Sequence, residues 1–292
     1  MKKDRVYISI CSRGFTHNLL NILKCVYKNS LNKSIKISVL IVFNQSKMIK
    51  KFQELLIKKN LENITHKIIY EKKLGISNVR NKSLSFLKYV DCEYFCFLDD
   101  DCKIADNFIL NHLKFIKKNN CSIATGPQIY MSKKPFFRVF ERNFPQGRKI
   151  FWASTNNVFF KKKVIKNNLF FSNKVSKYGY GEDQLFFSKM SKYGEIIKWN
   201  CNPVYEVYLK KRENLRWFID RNLKYGLTGI LIDKELYNFL IAYIFNILKA
   251  FYNLAAASVY FFLIPIDLMN NIFKSFAYFL RFLGRVINFV RF

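Results

Sequence analysis

The strongest constraint on the fold is a regular alternation of short apolar runs with helix-like segments over the first hundred residues. The runs "RVYISIC", "IKISVLIVF", "ITHKIIYEK" and "YFCFL" are rich in β-branched and aromatic residues, as strands buried in a parallel sheet are. Between them, "THNLLNILKCVYKNS", "KMIKKFQELLIKKN" and "ISNVRNKSLSFLKYV" repeat apolar residues at helical spacing. This alternation predicts an α/β domain with a doubly wound, mostly parallel sheet.

The pattern becomes less regular in the second half of the chain. After the helical stretch "NFILNHLKFIKKNN", further strands are predicted in "SIATGPQIYM", "IFWASTNNVFFKKKVI" and "IIKWNCNPVYEVYL", and a helix near "GEDQLFFSKMSKYG". We expect one α/β domain over residues 1–230, with a first half at 1–110 and a second half at 111–230. Hydrophobic or amphipathic helices are expected over 231–292.

The last sixty residues have the composition of a membrane-associating segment. Residues 236–266 contain a single charged residue, Lys249, and about 20 apolar residues suffice for one helical span. The stretch 272–292 mixes apolar residues with basic ones, as an interfacial amphipathic helix does. Both arrangements, spanning and lying in the interface, remain open, and a buried helix hairpin is the alternative.

Charge and cysteine usage restrict the partners and the compartment. The 292 residues include 50 basic and 20 acidic side chains, a formal net charge of +30. This suits nucleotide phosphates, nucleic acid or an anionic membrane without choosing among them. The seven cysteines form no C-x-x-C pair. The N-terminal residues lack the apolar core of a secretory signal. We therefore expect reduced, mostly buried thiols in a cytosolic protein.

Three consecutive aspartates, Asp99, Asp100 and Asp101, follow directly after an apolar strand. Ligands of open α/β sheets bind at the carboxyl ends of strands. Because extended residues alternate sides, Asp99 and Asp101 are expected to face one way and Asp100 the other. Two carboxylates at that spacing suit a hard divalent cation that keeps positions for phosphate oxygens. The alternative is a solvated turn with a helix cap.

Three further groups of residues have both a functional and a structural interpretation. Glu182 and Asp183 stand where a helix should begin, as a general base or as acids that stabilise the helix N-terminus. In "LGISNVRNKSL", Arg80 and Asn81 could hold a diphosphate or lie on a solvated face. The segment 202–226 contains Trp217 and Arg221 four residues apart on one helix face, either functional or part of an amphipathic helix.

Taken in order, these segments resemble the family 2 glycosyltransferases, inverting enzymes with the GT-A fold, over roughly residues 5–230. "VYISICSRGFTHNLLNILKCV" is similar to the family's opening strand and helix, and "VLIVFNQSK" to its second strand. "LGISNVRNKSL", "FLDDDCKI", "STNNVFFKKKVI" and "GYGEDQLF" resemble its later motifs. The segment "YEVYLKKRENLRWFIDRNLKYG" is similar to the C-terminal part of some bacterial members that act at the cytoplasmic membrane.

The resemblance implies transfer of a sugar from a nucleotide diphosphate donor to an acceptor hydroxyl, with inversion. It makes residues 1–110 the nucleotide-binding half of the domain and residues 111–230 the acceptor-side half. Asp101 would ligate Mn²⁺ or Mg²⁺, and Asp99 would reach the ribose or the metal and its water shell. Asp183 would be the base, with Glu182 as the other candidate. Donor-binding residues would be Ser12, Asn44, Arg80, Asn81, Asp99 and Asp100. Residues on the acceptor side or with other roles would be Asn156, Glu206, Arg212, Trp217 and Arg221.

Two positions depart from the family's pattern. Asn44, after Phe43, stands near the position where the family usually has an acidic residue that binds the nucleotide base. No histidine follows His112, although many members supply a late histidine as a metal ligand. Glu206 or Tyr208 could take its place, or the metal could be held weakly.

The implied partners are a nucleotide-sugar donor, with a UDP-sugar favoured, a glycan or lipid-linked acceptor and the cytoplasmic membrane surface. The product would belong to a cell-surface glycan, and no nucleic acid is expected. One alternative is a metal-dependent phosphotransferase or phosphohydrolase, but the chain has no G-x-x-x-x-G-K-[ST] loop. Another is a non-enzymatic binder of nucleic acid or membrane, for which the acidic "FLDDD" is unfavourable.

Overall fold

The computed structural model describes residues 3–13, 17–58, 65–165, 169–207 and 212–290. The chain divides into two compact units. The first comprises Met1–Ile129, Arg142–Asn173 and Phe186–Val207, and the second Tyr130–Glu141, Lys174–Leu185 and Tyr208–Phe292.

The strands are β1 (Asp4–Ser12), β2 (Ile35–Phe43), β3 (His66–Tyr70), β4 (Tyr94–Asp99), β5 (Cys102–Lys103), β6 (Ile123–Thr125), β7 (Gln128–Tyr130), β8 (Lys149–Ile150), β9 (Val158–Lys161), β10 (Ile197–Trp199) and β11 (Val204–Glu206). The α-helices are α1 (His17–Ser30), α2 (Lys47–Lys58), α3 (Ile76–Leu87), α4 (Phe108–Lys118), α5 (Asn173–Ser176), α6 (Glu182–Lys192), α7 (Leu215–Leu236), α8 (Phe239–Phe262) and α9 (Leu268–Val290).

The first unit is built on an eight-stranded sheet in the order β3-β2-β1-β4-β9-β6-β10-β8. β1 pairs in parallel with β2 and β4, β2 with β3, and β6 with β10. β9 runs antiparallel to both β4 and β6. The edge strand β8 is also antiparallel. The predicted α/β class with a mostly parallel sheet is confirmed.

Alternate residues of β1 enter two separate apolar cores, one on each face of the sheet. Ile8 and Ile10 pack with residues of α1, α2 and α4 on one face. Tyr7 and Cys11 pack with residues of α3 and α6 on the other. Each fully buried large apolar side chain contributes about 1.5–3 kcal/mol. Helices on both faces explain why the strands are apolar throughout rather than alternating.

The three long strands predicted after residue 120 are each two short strands instead. Gly126 and Pro127 separate β6 from β7, and Pro203 lies between β10 and β11. Proline cannot donate to a sheet ladder, so it ends a strand. A Cβ on Gly126 would stand 2.4 Å from the carbonyl oxygen of Asn200, so the backbone is closely packed at this break.

A small second sheet in the order β5-β11-β7 begins immediately after the aspartates. Glu206 of β11 pairs with Cys102 of β5. The N–H of Val207 donates to the carbonyl oxygen of Asp101 at 2.7 Å. β11 therefore holds the backbone that carries Asp101.

The second unit is mainly helical. The N-cap of α7 is Asn214, whose Oδ1 accepts a hydrogen bond from the N–H of Trp217 at 2.9 Å. This hydrogen bond satisfies one of the first-turn N–H groups that have no partner within the helix. An aromatic cluster joins the 3-10 helix Pro135–Val139 to α7 and α9 through side chains such as Phe136, Phe218 and Phe273. α9 packs along both α7 and α8.

Among the described residues, one helix is long and apolar enough to cross a membrane, α8. Only 17% of its most apolar stretch is buried, which distinguishes it from the core helix of a globular domain. The composition shift near Leu236 coincides with the end of α7. The domain limits 1–230 and 231–292 stay a prediction.

All seven cysteines are free. Five of them are buried, at positions 11, 92, 96, 102 and 121, as predicted. Burial raises the pKa of the Cys11 and Cys92 thiols to about 11, so these thiols stay protonated and unreactive at neutral pH.

Candidate active site

The carboxyl ends of β1, β2 and β4 bring predicted donor-binding residues to one edge of the sheet. Ser12 pairs with Phe43, the residue before Asn44, and Cys11 pairs with Asp99. These strands are parallel neighbours, so their ends meet at the same edge. The observation agrees with the sequence-based expectation for Ser12, Asn44 and Asp99.

The three aspartates do not alternate along one strand. β4 ends at Asp99, and Asp100 and Asp101 form a turn before β5. The prediction that Asp99 and Asp101 face the same way assumed that all three aspartates lie in one strand, and this assumption is wrong. Asp100 has a partner of its own, because the Ser12 hydroxyl donates to its Oδ2. This hydrogen bond ties the end of β4 to the end of β1.

Arg80 of α3 is buried beside Asp99. Its guanidinium donates to Asp99 Oδ1 at 3.5 Å and lies 5.6 Å from the centroid of the Phe171 ring. The Arg80 side chain is 6% exposed, whereas that of Asp99 is 35% exposed. A buried guanidinium cannot lose its charge, so it places a fixed positive charge behind Asp99. The solvated-face alternative for Arg80 is wrong.

Two predicted donor-binding amides are engaged with the backbone. Asn44 Nδ2 donates to the carbonyl oxygens of Glu71 and Lys73, both at 2.9 Å, and its Oδ1 accepts from the N–H of Gly75. Asn81 exchanges two hydrogen bonds with the backbone of Phe171, at 3.0 and 2.7 Å. Asn44 holds the loop before α3, and Asn81 ties α3 to the segment that contains Phe171.

Gly75 lies directly before α3, between the loop that Asn44 holds and the helix that contains Asn81. Its φ of 120° is in the region that favours glycine. This conformation lets the chain turn from the loop held by Asn44 into the helix that carries Arg80 and Asn81.

Asp101 and Glu206 are neighbours across the small sheet. Glu206 pairs with Cys102, the residue after Asp101, and is buried. Burial raises the pKa of the Cys102 thiol well above its usual value, and the carboxylates of Asp99, Asp101 and Glu206 raise it further. All three carboxylates therefore lie close enough to act on one thiol, and negative charge is concentrated here.

The donor set fits a hard divalent cation shared with a ligand. Within the described ranges, no group of three or more His, Cys, Asp or Glu side chains could hold a metal ion by itself. Mg²⁺ in proteins is commonly bound by one or two carboxylates plus substrate phosphates. Asp99 and Asp101 supply oxygen ligands of that kind, and their number agrees with a site completed by a diphosphate.

Asn156 carries a buried polar atom without a protein partner. It lies in the 3-10 turn Thr155–Asn157 before β9, is 3% exposed, and its Oδ1 accepts no hydrogen bond within the structure. Since β9 runs antiparallel from Val158 opposite Phe97, its start comes to the same end of β4 as Asp99. An unsatisfied buried acceptor is costly, so this oxygen is a candidate ligand-binding atom.

His112 is not available as a metal ligand. It is fully buried, with Nε2 3.1 Å from Asn157 Oδ1 and Nδ1 3.2 Å from Asn200 Nδ2. The amide oxygen accepts from Nε2–H and the amide nitrogen donates to Nδ1, which fixes the neutral tautomer. Burial lowers the pKa of His112 to about 3. No sequence motif indicates this amide network.

In the second unit, Glu182 and Asp183 form the first turn of α6. Glu182 is buried and Asp183 is half-buried. Asp183 Oδ1 accepts from the N–H of Gln184 at 2.7 Å. Gly181 precedes them with a φ of 94°, and a Cβ there would stand 2.9 Å from Ile232 Cδ1. The predicted helix start is confirmed, and acids in this position also stabilise the helix.

Arg221 of α7 is enclosed by aromatic rings. Its guanidinium carbon lies 4.4 Å from the Phe140 ring centroid and 4.9 Å from that of Trp217. Its nitrogens donate to the hydroxyls of Tyr225 and Tyr130 at 3.0 and 3.1 Å. Arg212 belongs to the same unit, where its charge acts on Tyr180. These contacts give Arg221 and Trp217 a structural role in the aromatic cluster.

Tyr208, predicted as a possible substitute for the missing histidine, lies outside the described residues. Glu206, the other predicted substitute, is the one that the structure brings next to Asp101.

A mostly parallel α/β sheet, with an acidic strand end and a buried arginine at the edge where β1, β2 and β4 end, agrees with the expected GT-A glycosyltransferase fold. The family model described as "Glycosyl transferase family 2" matches residues 8–177. That match covers more than half of the chain, which therefore belongs to glycosyl transferase family 2. No curated protein sequence matches it.

Solved structures support the same fold. A mannosyltransferase from Pyrobaculum calidifontis, solved with GDP-Man and Mn²⁺, has a TM-score of 0.63 at 13% identity. The alignment covers 99% of this chain and 88% of the mannosyltransferase chain. S. aureus TarS 1–349 has a TM-score of 0.55 at 16% identity, covering 80% of this chain. The match spans 66% of that TarS fragment and 55% of a longer TarS chain.

The TarS fragment has also been solved with UDP and with UDP-GlcNAc, at 14% identity to this chain. Family membership identifies a glycosyltransferase, rather than a phosphotransferase or a non-enzymatic binder. Similarity to the solved structures at this level of identity establishes the fold.

Proposed function

We propose that this protein transfers a sugar from a nucleotide diphosphate donor to an acceptor hydroxyl with inversion of the anomeric carbon, in a metal-dependent reaction. The observation that carries the proposal is the grouping of Ser12, Arg80 and the Asp99–Asp101 turn at one sheet edge in a family 2 chain. A UDP-sugar is the favoured donor, since the TarS fragment binds UDP and UDP-GlcNAc.

Asp101 and Asp99 would hold Mn²⁺ or Mg²⁺, which supplies positive charge to the leaving diphosphate. Arg80 orients Asp99 through the ion pair with its buried guanidinium. Ser12 fixes Asp100 and with it the turn that carries Asp101. Glu206 beside Asp101 is the candidate for a further oxygen ligand.

Asp183 would accept the proton of the acceptor hydroxyl, with Glu182 as the second candidate. Asp183 is supported by its partial exposure, because a general base must reach a bound hydroxyl. Glu182 is almost completely buried, which suits a positioning role. Asn156 would offer its unpartnered oxygen to a hydroxyl group of a bound sugar.

We further propose that the protein works at a membrane surface, on the cytoplasmic face, where a lipid-linked or glycan acceptor is presented for cell-surface glycan synthesis. The exposed apolar surface of α8 supports this part of the proposal, as does the net charge of +30, which favours anionic lipid.

The test is a panel of nucleotide sugars assayed for donor hydrolysis and transfer, with Mn²⁺ or Mg²⁺ and with a chelator. One donor is expected to be consumed, and chelation is expected to abolish its use. Asp101→Asn and Asp183→Asn should each reduce the rate about a hundredfold or more, since loss of metal or base contributions of several kcal/mol is involved.

Asp106→Asn is the matched control. Asp106 is an exposed aspartate that makes only a surface ion pair with Lys28 at 3.4 Å, and its replacement should leave the rate unchanged. Full activity in both test variants, with the fold verified by circular dichroism, would contradict the assignment.

A further inference from the structure

Helix α8 has an inverted distribution of side chains. Its buried residues are small or polar: Ala242, Asn246, Asn253 and Ala257. Its exposed residues are large and apolar, and they follow one face at helical spacing: Leu240, Ile244, Leu248, Phe251, Val259 and Phe262. A surface helix of a water-soluble domain has the opposite arrangement. The outward face of α8, defined by these six residues, therefore requires an apolar covering.

The inward face of α8 packs as helices do inside membranes. Asn246 Oδ1 accepts from Arg285 of α9 at 2.8 Å, and Ser275 of α9 donates to the carbonyl oxygen of Ala257 at 2.8 Å. Small residues with interhelical hydrogen bonds are typical of contacts formed where apolar burial supplies no driving force. The helix pair is thus joined by polar contacts and by ring contacts such as Tyr243 with Phe289, while the large apolar residues of the outward face take no part in it.

The only charge in α8 is also turned inward. Lys249 Nζ donates to Asp233 Oδ1 of α7 at 2.6 Å, and Asp233 is buried. The outward face of α8 consequently carries no charge. Lysines lie at its two ends, with Lys234 Nζ 5.3 Å from the Phe239 ring centroid and Lys274 Nζ 5.0 Å from that of Tyr260.

The packing of α9 argues against α8 crossing a bilayer. The 24 residues of α8 give it a length of about 36 Å, enough for one span. However, α9 packs along α8 and α7 at once, and Arg281 of α9 donates to Asn222 of α7 at 2.9 Å. If α8 crossed the bilayer, α7 and α9 and their buried charges would enter the hydrocarbon with it. Placing charged side chains there has a high free-energy cost.

We propose that the outward face of α8 inserts into one leaflet of an anionic bilayer, with the helix axis parallel to the surface. This inference deepens the membrane association proposed above and resolves the choice between spanning and lying in the interface. Residues 239–292 contain one acidic residue, Asp267, and the terminal lysines match anionic headgroups. A second copy of the chain is the competing occupant.

The first experiment measures partition of the full-length protein onto vesicles of phosphatidylcholine with phosphatidylglycerol. Leu248→Glu should lower partition about tenfold, the factor for one large apolar side chain. Ile57→Glu on α2 is the matched control, because Ile57 is 66% exposed and Leu248 58%. The control should bind like the parent protein. Equal binding by all three proteins, or no binding by the parent, would overturn the proposal.

The second experiment distinguishes insertion from spanning. A protease site with short Gly-Ser flanks is placed after Ile266, in the exposed turn between α8 and α9, and the protein is added to sealed vesicles. Cleavage from outside is expected, because both ends of an inserted α8 stay on the side of addition. Protection that disappears when detergent opens the vesicles would show spanning and refute the proposal.

Two further readouts separate this inference from its competitors. Light scattering without vesicles should give the same mass for the parent and for Leu248→Glu. A dimer that the substitution dissociates would instead make α8 a self-association surface. Transfer to a water-soluble acceptor, measured without vesicles, tests the enzymatic proposal alone. Retained transfer without vesicle binding would leave that proposal standing and remove this one.

Discussion

Gly226 of α7 and Gly284 of α9 lie in direct backbone contact. A Cβ added at Gly226 would stand 2.3 Å from the carbonyl oxygen of Arg281 and 2.8 Å from the Cα of Gly284. A Cβ added at Gly284 would stand 2.3 Å from the carbonyl oxygen of Leu223. Both contacts are with backbone atoms, which cannot move aside as a side chain can.

Gly226→Ala should therefore reduce the free energy of unfolding by about 1–3 kcal/mol, the usual cost of overpacking, despite the higher helix propensity of alanine. Gly229→Ala on the same helix is the comparison, because its Cβ would meet the end of the Arg285 side chain and not backbone atoms. Urea unfolding followed by circular dichroism measures both. An equal loss in the two variants would show that backbone contact is not the cause.

Ser12 and Asp100 should be energetically coupled. A hydrogen bond to a charged group contributes about 1.5–3 kcal/mol. In a double-mutant cycle of Ser12→Ala and Asp100→Ala, the double variant should therefore lose less stability than the sum of the two single losses. We also expect each single variant to raise the KM for the donor, because the turn that carries Asp101 is loosened. Additive stabilities would mean that the hydrogen bond contributes nothing.

The buried His112 should make stability depend on pH. Its folded-state pKa of about 3 lies below the ordinary histidine value of 6.5, so below pH 6.5 the unfolded chain binds a proton that the folded chain excludes. Stability should thus be unaffected above pH 6.5 and fall by about 1.4 kcal/mol per unit at lower pH. The comparison variant is His112→Gln, whose stability should fall less steeply between pH 6.5 and 5. Identical slopes in the two proteins would exclude this role.

Asn156→Leu should separate function from stability. Leucine has the same number and branching of side-chain heavy atoms as asparagine, and it removes the buried oxygen that has no protein donor. Because that oxygen contributes no protein hydrogen bond, the free energy of unfolding should stay within about 1 kcal/mol of the parent value. Transfer activity should fall about tenfold or more if a sugar hydroxyl normally donates to it. A destabilised variant with normal kcat/KM would identify a purely structural asparagine.

Arg221→Lys should destabilise the second unit by about 2 kcal/mol or more, because a lysine cannot stack its charge on several rings and reach two tyrosine hydroxyls. Arg216→Lys on the same helix is the control, since Arg216 is exposed. Differential scanning calorimetry compares the two. If the Arg221 variant unfolds like the parent but loses transfer activity, the residue acts on the acceptor and not on the fold.

The parallel half of the sheet could be predicted from the sequence because each of its strands is one uninterrupted apolar run that ends at a polar residue. β1 ends at Ser12, β2 immediately before Asn44, and β4 at Asp99. For parallel strands the residue after the run lies at the ligand-binding edge, so chain order alone identifies it. The residues of the candidate site that follow a parallel strand could therefore be predicted from the sequence.

The antiparallel β9 does not follow that rule. It brings its start, not its end, to this side of β4, so Asn156 precedes its strand. Proline and glycine also divided the later strands, which removed the periodicity on which prediction depends. The partners of Asn44 and Asn81 are backbone atoms of distant segments, and one sequence carries no signal of such pairs.

Asn44 has a consequence for how the enzyme would distinguish nucleobases. Both of its N–H groups are bound to the carbonyl oxygens of Glu71 and Lys73, so it has no donor left for a base. An aspartate at position 44 would place a carboxylate oxygen where the amide N–H groups now donate. It would repel the carbonyl oxygens of Glu71 and Lys73 and displace the loop that contains them. Exchanging this side chain should therefore disturb α3 before it alters the preference for uracil or guanine. We expect base selectivity to be encoded in main-chain geometry at this strand end, and engineering of donor choice to require loop grafts instead of point substitutions.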